Sequence, residues 1–277
     1  MNSRNFSPAS AKDTLVVRAV LTLALVLAAC TNSSDNGITS RIAAVSIVGN
    51  TVDKTTASAD VSVVAFDVSS DVLLNIPNST LQQTDQCVVA SLTNPGTSPI
   101  GQMRAGDALQ LMIGAETYNL PWSSTRNGYF TPSNAPISYL TGDVARAVIS
   151  GSAEGFPAAE ISVRLAEPIV IDSMSTLDAD RPLEVYWNAT RDPGTAVILS
   201  LAYANPATST VANEQVYCEL ADDGAHLIEG VGLARAFASP PELRYITITR
   251  WRTSQSNPDD RSLVHIVSTV QTVQGVP

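Results

Sequence analysis

Histidine, lysine, cysteine and aromatic residues are all scarce in this 277-residue chain, and each scarcity removes a class of function. His226 and His265 are the only histidines, and neither has a His or Cys neighbour at metal-ligand spacing. No G-x-S-x-G nucleophile turn occurs, and no general base lies near a candidate serine. No catalytic residue, metal or cofactor is therefore assigned. After residue 29, Lys54 is the only lysine, and 13 Lys+Arg face 25 Asp+Glu. That balance lacks the basic footprint of a nucleic-acid partner. Arg244, Arg250 and Arg252 are the densest basic group, and their strand-like setting beside Asp259 and Asp260 reads as a solvated strand face. Long apolar runs are missing too. The longest, Ala19 to Ala29, falls short of the roughly 20 residues a membrane-spanning helix needs. The strand-like segments are too irregular for a lipid-facing barrel.

That one apolar run carries the clearest message. Arg4, Lys12 and Arg18 precede it, and "LAAC" (27–30) closes it before the polar "TNSSDNGITS" (31–40). A basic n-region followed by a short apolar h-region is the pattern of an export signal. Its end resembles a bacterial lipobox, in which the cysteine thiol is acylated and becomes the first residue of the mature protein. The resemblance implies lipidation at Cys30, a membrane partner reached through that lipid, and residues 30–40 as a flexible tether. Thr31 follows the cysteine where an inner-membrane retention signal would place aspartate. The expected address is therefore the cell envelope, at the outer membrane, on its periplasmic face or the cell surface.

The body reads as strands. "IAAVSIVG" (42–49), "ADVSVVAFDV" (59–68), "ALQLMIGAETY" (108–118), "TAVILSLAYA" (195–204) and "SLVHIVSTVQTV" (262–273) are separated by turn chemistry such as "RDPGT" and "ADDGA". Leu183, Val185 and Trp187 alternate with Glu184, Tyr186 and Asn188, as on a half-buried strand. "EGVGLARAF" (229–237) is the one helical candidate. The expected fold is all-β: two antiparallel, immunoglobulin-like β-sandwich domains after the signal and tether. The proline and acidic turn residues of "AEPIVIDSMSTLDADRP" (166–182) place the boundary, giving domains at 41–167 and 168–277.

From about residue 140 onward, "GFPAAEISVRLAEP", "PLEVYWNA" and "YCELADDGAHLIEGVGLARAF" followed by "LRYITITR" resemble a set of uncharacterised bacterial lipoproteins of myxobacterial type. The resemblance implies β-sandwich domains on an envelope lipoprotein and no reaction. The chain departs from it where "AHLIEG" stands in place of a G-T-I-P stretch.

Cys87 and Cys218 remain once Cys30 is acylated, and an exported pair is a candidate disulfide. The alternative is two buried free thiols, since a bridge would have to staple the two expected domains. The clustered acids of "DADRP", "LADDGA" and "NPDD" lack spaced calcium-ligand order and read as turns. Trp122, Tyr129, Phe130 and Tyr139 crowd into the Pro- and Asn-rich stretch 119–140; such rings commonly cap the open end of a sandwich, and where a ligand is bound this stretch is the candidate ligand loop. The expected function is binding or structural, toward an envelope protein or polysaccharide, without catalysis. The alternatives are an envelope glycan hydrolase using loop carboxylates and an assembly subunit pairing through a sheet edge.

Overall fold

The computed structural model describes residues 41–67, 85–92, 102–132, 135–190, 192, 194–205, 209 and 211–276. The export signal, Cys30 and the tether lie outside the described residues. The strands begin with β1 (Arg41–Thr51), β2 (Thr56–Asp67), β3 (Gln86–Ser91), β4 (Gln102–Met103), β5 (Ala108–Ile113) and β6 (Glu116–Ser123). Next come β7 (Gly128–Phe130), β8 (Ile137–Leu140), β9 (Val144–Ile149), β10 (Ala159–Arg164), β11 (Ile171–Met174) and β12 (Leu183–Trp187). The last are β13 (Ala196–Tyr203), β14 (Glu214–Ala221), β15 (Ala225–Ile228), β16 (Tyr245–Asp259) and β17 (Ser262–Gly275), with helix α1 (Val231–Ala238) between β15 and β16. The protein is all-β, built from large antiparallel sheets.

The central sheet runs β2-β1-β17-β16-β13-β14-β3. Its core strands are apolar on consecutive positions because both faces are covered: in β1 only Arg41, Val48, Asn50 and Thr51 escape burial. A tight turn joins β1 to β2, closed by Asp53, whose carboxylate accepts the amides of Thr55 and Thr56 at 2.8 Å each. A longer hairpin joins β16 to β17. It carries a register shift between Ser256 and Asp259, which accommodates Pro258, a residue that cannot donate to the ladder. A second row of strands, β10-β9-β5-β6, continues from the central sheet where Trp122 and Ser123 of β6 pair with Tyr129 and Gly128 of β7. A separate three-stranded sheet, β11-β12-β15, carries Trp187.

The sheet does not divide at residue 167. Inside it β1 pairs in parallel with β17, from Arg41↔Ser262 to Asn50↔Gln271, and at its end β3 pairs with β14. One continuous core runs from Ala43 through Leu165, Ala166 and Ile169 to Val276. The start of the segment expected to hold the boundary is thus core, while residues 170–182 are half-buried or exposed apart from Leu177. Linkers between independent domains are exposed and polar, whereas Leu165, Ala166 and Ile169 are at most 1 % exposed.

The arginine row also differs from expectation. Arg250 and Arg252 extend the inward-facing row of Ile246 and Ile248 on β16, and both are buried. Arg250 grips Asp222 through Nε and Nη2 (2.6 and 3.0 Å). It also donates to the carbonyls of Glu167, Pro168 and Asn188. Arg252 bonds Glu167 and Asp192, each at 2.7 Å. Burial is tolerated because nearly every guanidinium proton finds an acceptor. Arg244 instead closes the end of α1, donating to the Phe237 and Ser239 carbonyls that the helix leaves unpaired. The helix falls close to the expected 229–237 and buries Gly232, Leu233 and Ala236. Among the described residues no helix is long and apolar enough to cross a membrane.

Candidate functional site

β3 is held at the end of the central sheet by β14, in a register that sets Cys87 directly opposite Cys218. The two are joined as a disulfide with their Cα atoms 4.1 Å apart. Asp85, with φ of 49°, turns the chain into this strand. Its amide donates to the Glu219 carbonyl, and its carboxylate accepts the Ala221 amide.

β14 leads out of the central sheet through Asp222, Asp223 and Gly224 into β15, which belongs to the three-stranded sheet. Gly224 has φ of 101°, a left-handed backbone that favours glycine at this corner. The corner folds β15 back over the bridge, so that His226 Nε2 stands 3.2 Å from Cys87 Sγ. Cys218 is fully buried, while Cys87 and His226 are half-buried. Burial lowers the basicity of His226 and outweighs the attraction of Asp85, Asp223 and Glu229, so the imidazole is neutral near pH 7.

Above this cluster lies an open cleft of about 620 Å³, lined by Asp85, Glu184, Tyr186, Asp223, Ala225, His226, Leu227 and Glu229. Glu184 and Tyr186 point outward from β12 because they alternate with its buried residues. The Tyr186 hydroxyl donates to Glu184 at 3.1 Å, and that bond raises its pKa. Among the described residues the lining carries several carboxylates and no arginine or lysine. Its field therefore favours cations, and Tyr186 and Leu227, both exposed, add apolar surface.

The candidate ligand loop lies elsewhere and has a structural role. Tyr129 is wholly buried; its hydroxyl donates to the Gly106 carbonyl at 2.5 Å and accepts the Ala105 amide at 2.9 Å. Tyr139 is 2 % exposed and donates to the Ala166 carbonyl. Trp122 packs edge-on against Tyr129, with ring centroids 5.1 Å apart. Phe130 lies under the Arg126 guanidinium. Tyr129 and Tyr139 fill the interior, where their phenol oxygens find main-chain partners, while Trp122 and Phe130 stay half-buried.

The acidic turns divide similarly. Asp178 and Asp259 close local turns through Asp180 and Arg261 amides. Asp222 of "LADDGA" is a buried partner of Arg250, the Trp187 indole N–H and the Thr190 hydroxyl. The pairing of His226 with the bridge is the feature that the sequence alone does not disclose. Its one signal is the tight "DDG" corner, which sets position 226 back over Cys218 once a bridge is granted. No protein-family model matches this chain, and no curated protein matches it.

Proposed function

We propose that this is a lipid-anchored envelope protein, tethered through acylated Cys30, that acts by binding a cationic ligand or a basic segment of an envelope partner. The observation that carries this reading is the convergence of Asp85, Glu184, Asp223 and Glu229, from three separate chain segments, on one open cleft with Tyr186 at its wall. Clustered carboxylates without a local counter-cation attract positive charge, and the attraction weakens as salt screens it.

Immobilised mature protein is expected to retain a lysine-rich peptide or spermidine, less so as salt rises. Glu184→Gln with Glu229→Gln is expected to weaken retention by roughly tenfold, on the order of 1.4 kcal/mol. If neither probe binds, or the double variant binds equally well, the reading fails. Release of reducing ends from purified envelope glycan would favour hydrolysis by the same carboxylates instead. The anchor is tested by metabolic labelling with a lipid analogue, which Cys30→Ala is expected to abolish. A second reading, assembly by strand addition, is supported by Val88 and Val89, exposed on the end strand β3. In that case Val88→Lys removes a co-purifying partner while peptide retention persists.

A further inference from the structure

Three soft or borderline ligand atoms meet beneath the cleft. Cys87 Sγ, Cys218 Sγ and His226 Nε2 all lie within 4.8 Å of one another. They come from β3, β14 and β15, so two sheets fix their separation. Bonded to each other, the sulfurs cannot act as thiolate ligands. Released, they would be two thiolates in a largely buried setting: Cys218 is 0 % exposed, and among the described residues the cleft lining offers carboxylates but no cation. Such charge demands a counter-ion.

We propose that reduction of the Cys87–Cys218 bridge turns this cluster into a binding site for one Zn²⁺, held by both thiolates and by Nε2 of His226, with its fourth position open to the cleft. The metric fit is close. Tetrahedral zinc with Zn–S near 2.3 Å and Zn–N near 2.0 Å places S and N roughly 3.5 Å apart and the two sulfurs roughly 3.8 Å apart. Nε2 and Cys87 Sγ already stand 3.2 Å apart. The sulfurs need only part by side-chain rotation on paired strands. The thiolate–imidazole set selects zinc over magnesium or calcium, which prefer all-oxygen sites. The acidic cleft gathers cations at the entrance.

The redox step balances with a dithiol reductant. Two electrons and two protons pass to the bridge, the S–S bond breaks, two cysteine thiols form, and the reductant leaves as its own disulfide. Zinc then displaces the two thiol protons to solvent, and His226 contributes its lone pair unchanged. The site is independent of what the cleft carboxylates recognise, so a chain that ignores basic peptides can still take up zinc once reduced.

The test uses the full chain carrying Cys30→Ala, which leaves only this cysteine pair. Reduced anaerobically with a phosphine, mixed with Zn²⁺ and desalted, it is expected to retain about one zinc per chain, and the oxidised chain almost none. Co²⁺ in place of zinc is expected to give thiolate-to-metal charge-transfer absorption. His226→Ala keeps the bridge and is expected to lower zinc affinity by at least about tenfold. Zinc retained equally by the oxidised chain, by His226→Ala, or by neither redox form overturns the proposal. Collapse of the β circular dichroism on reduction also overturns it, because the site requires β3, β14 and β15 in place.

Discussion

Arg250 is the most demanding residue in the fold. Its guanidinium is fully buried and reaches Asp222 and the carbonyls of Glu167, Pro168 and Asn188 at once. Burial alone would raise the Asp222 pKa. The bonds from Arg250, Trp187 and Thr190 win and hold it below the usual carboxylate range. A carboxyl depressed in the folded state stabilises fully above its unfolded value, near 3.9, and that contribution is lost as pH falls further. Asp222→Asn strands the buried cation and is expected to cost about 3–5 kcal/mol in urea unfolding at neutral pH. An unchanged midpoint would refute it.

His265 acts in another pH window. It is 2 % exposed between Ala44 and Gln255 across the strands, its Nε2 lacks a hydrogen-bond partner, and burial lowers its pKa to about 4. Because the unfolded residue titrates near 6.5, the unfolded chain takes up the extra proton between these values. Stability is thus full above about pH 6.5 and declines toward pH 4, by up to roughly 3 kcal/mol. His265→Phe is expected to flatten that slope, as followed by thermal unfolding at a series of pH values.

At the scale of elements, two features hold the end of the central sheet. The bridge spans 131 positions, and removing it by Cys87→Ser with Cys218→Ser is expected to cost about 4–5 kcal/mol through loop entropy. Denaturant unfolding of the oxidised chain and the double variant measures this. Helix α1 packs by way of Gly232, where an added Cβ would come within 2.4 Å of Val216 Cγ2. Gly232→Ala is expected to destabilise by about 1–3 kcal/mol through overpacking, visible as a lower Tm. An equal Tm would mean that Val216 rotates aside. Both features sit beside strands readable from local pattern. Alternation in β12 correctly separated Leu183, Val185 and Trp187 from Glu184 and Tyr186. The same rule failed in β16 because Arg250 and Arg252 occupy the inward row. Alternation reports which residues share a face, and chemistry at a distance decides whether a charge on that face is buried. In the aromatic stretch local pattern left packing and ligand contact open, and the Tyr129 and Tyr139 hydroxyls take the packing role on carbonyls from other segments.

Across the whole molecule, the first and last described strands lie side by side. β1 bonds β2 on one edge and β17 on the other, and β10 lies against β16 and β17. The halves 41–167 and 168–277 should therefore not fold alone. Separation would bare the β1 edge and take away Glu167, whose carbonyl accepts from Arg250 and whose carboxylate pairs with Arg252. Each half expressed separately is expected to lack cooperative unfolding, and mixing the two is expected to restore it. A cooperative transition in either half by itself would re-establish two domains. By itself, the sequence determined what depends on near neighbours: strand positions, turns, the short helix, an all-β class and an acidic surface. Only the tertiary structure decided that β1 meets β17, that Arg250 is interior, and that His226 stands over the Cys87–Cys218 bridge. The physical reason is separation along the chain. Propensity and periodicity act over a few residues, whereas strand pairing and ion-pair burial join residues far apart in sequence, whose partners no local pattern names.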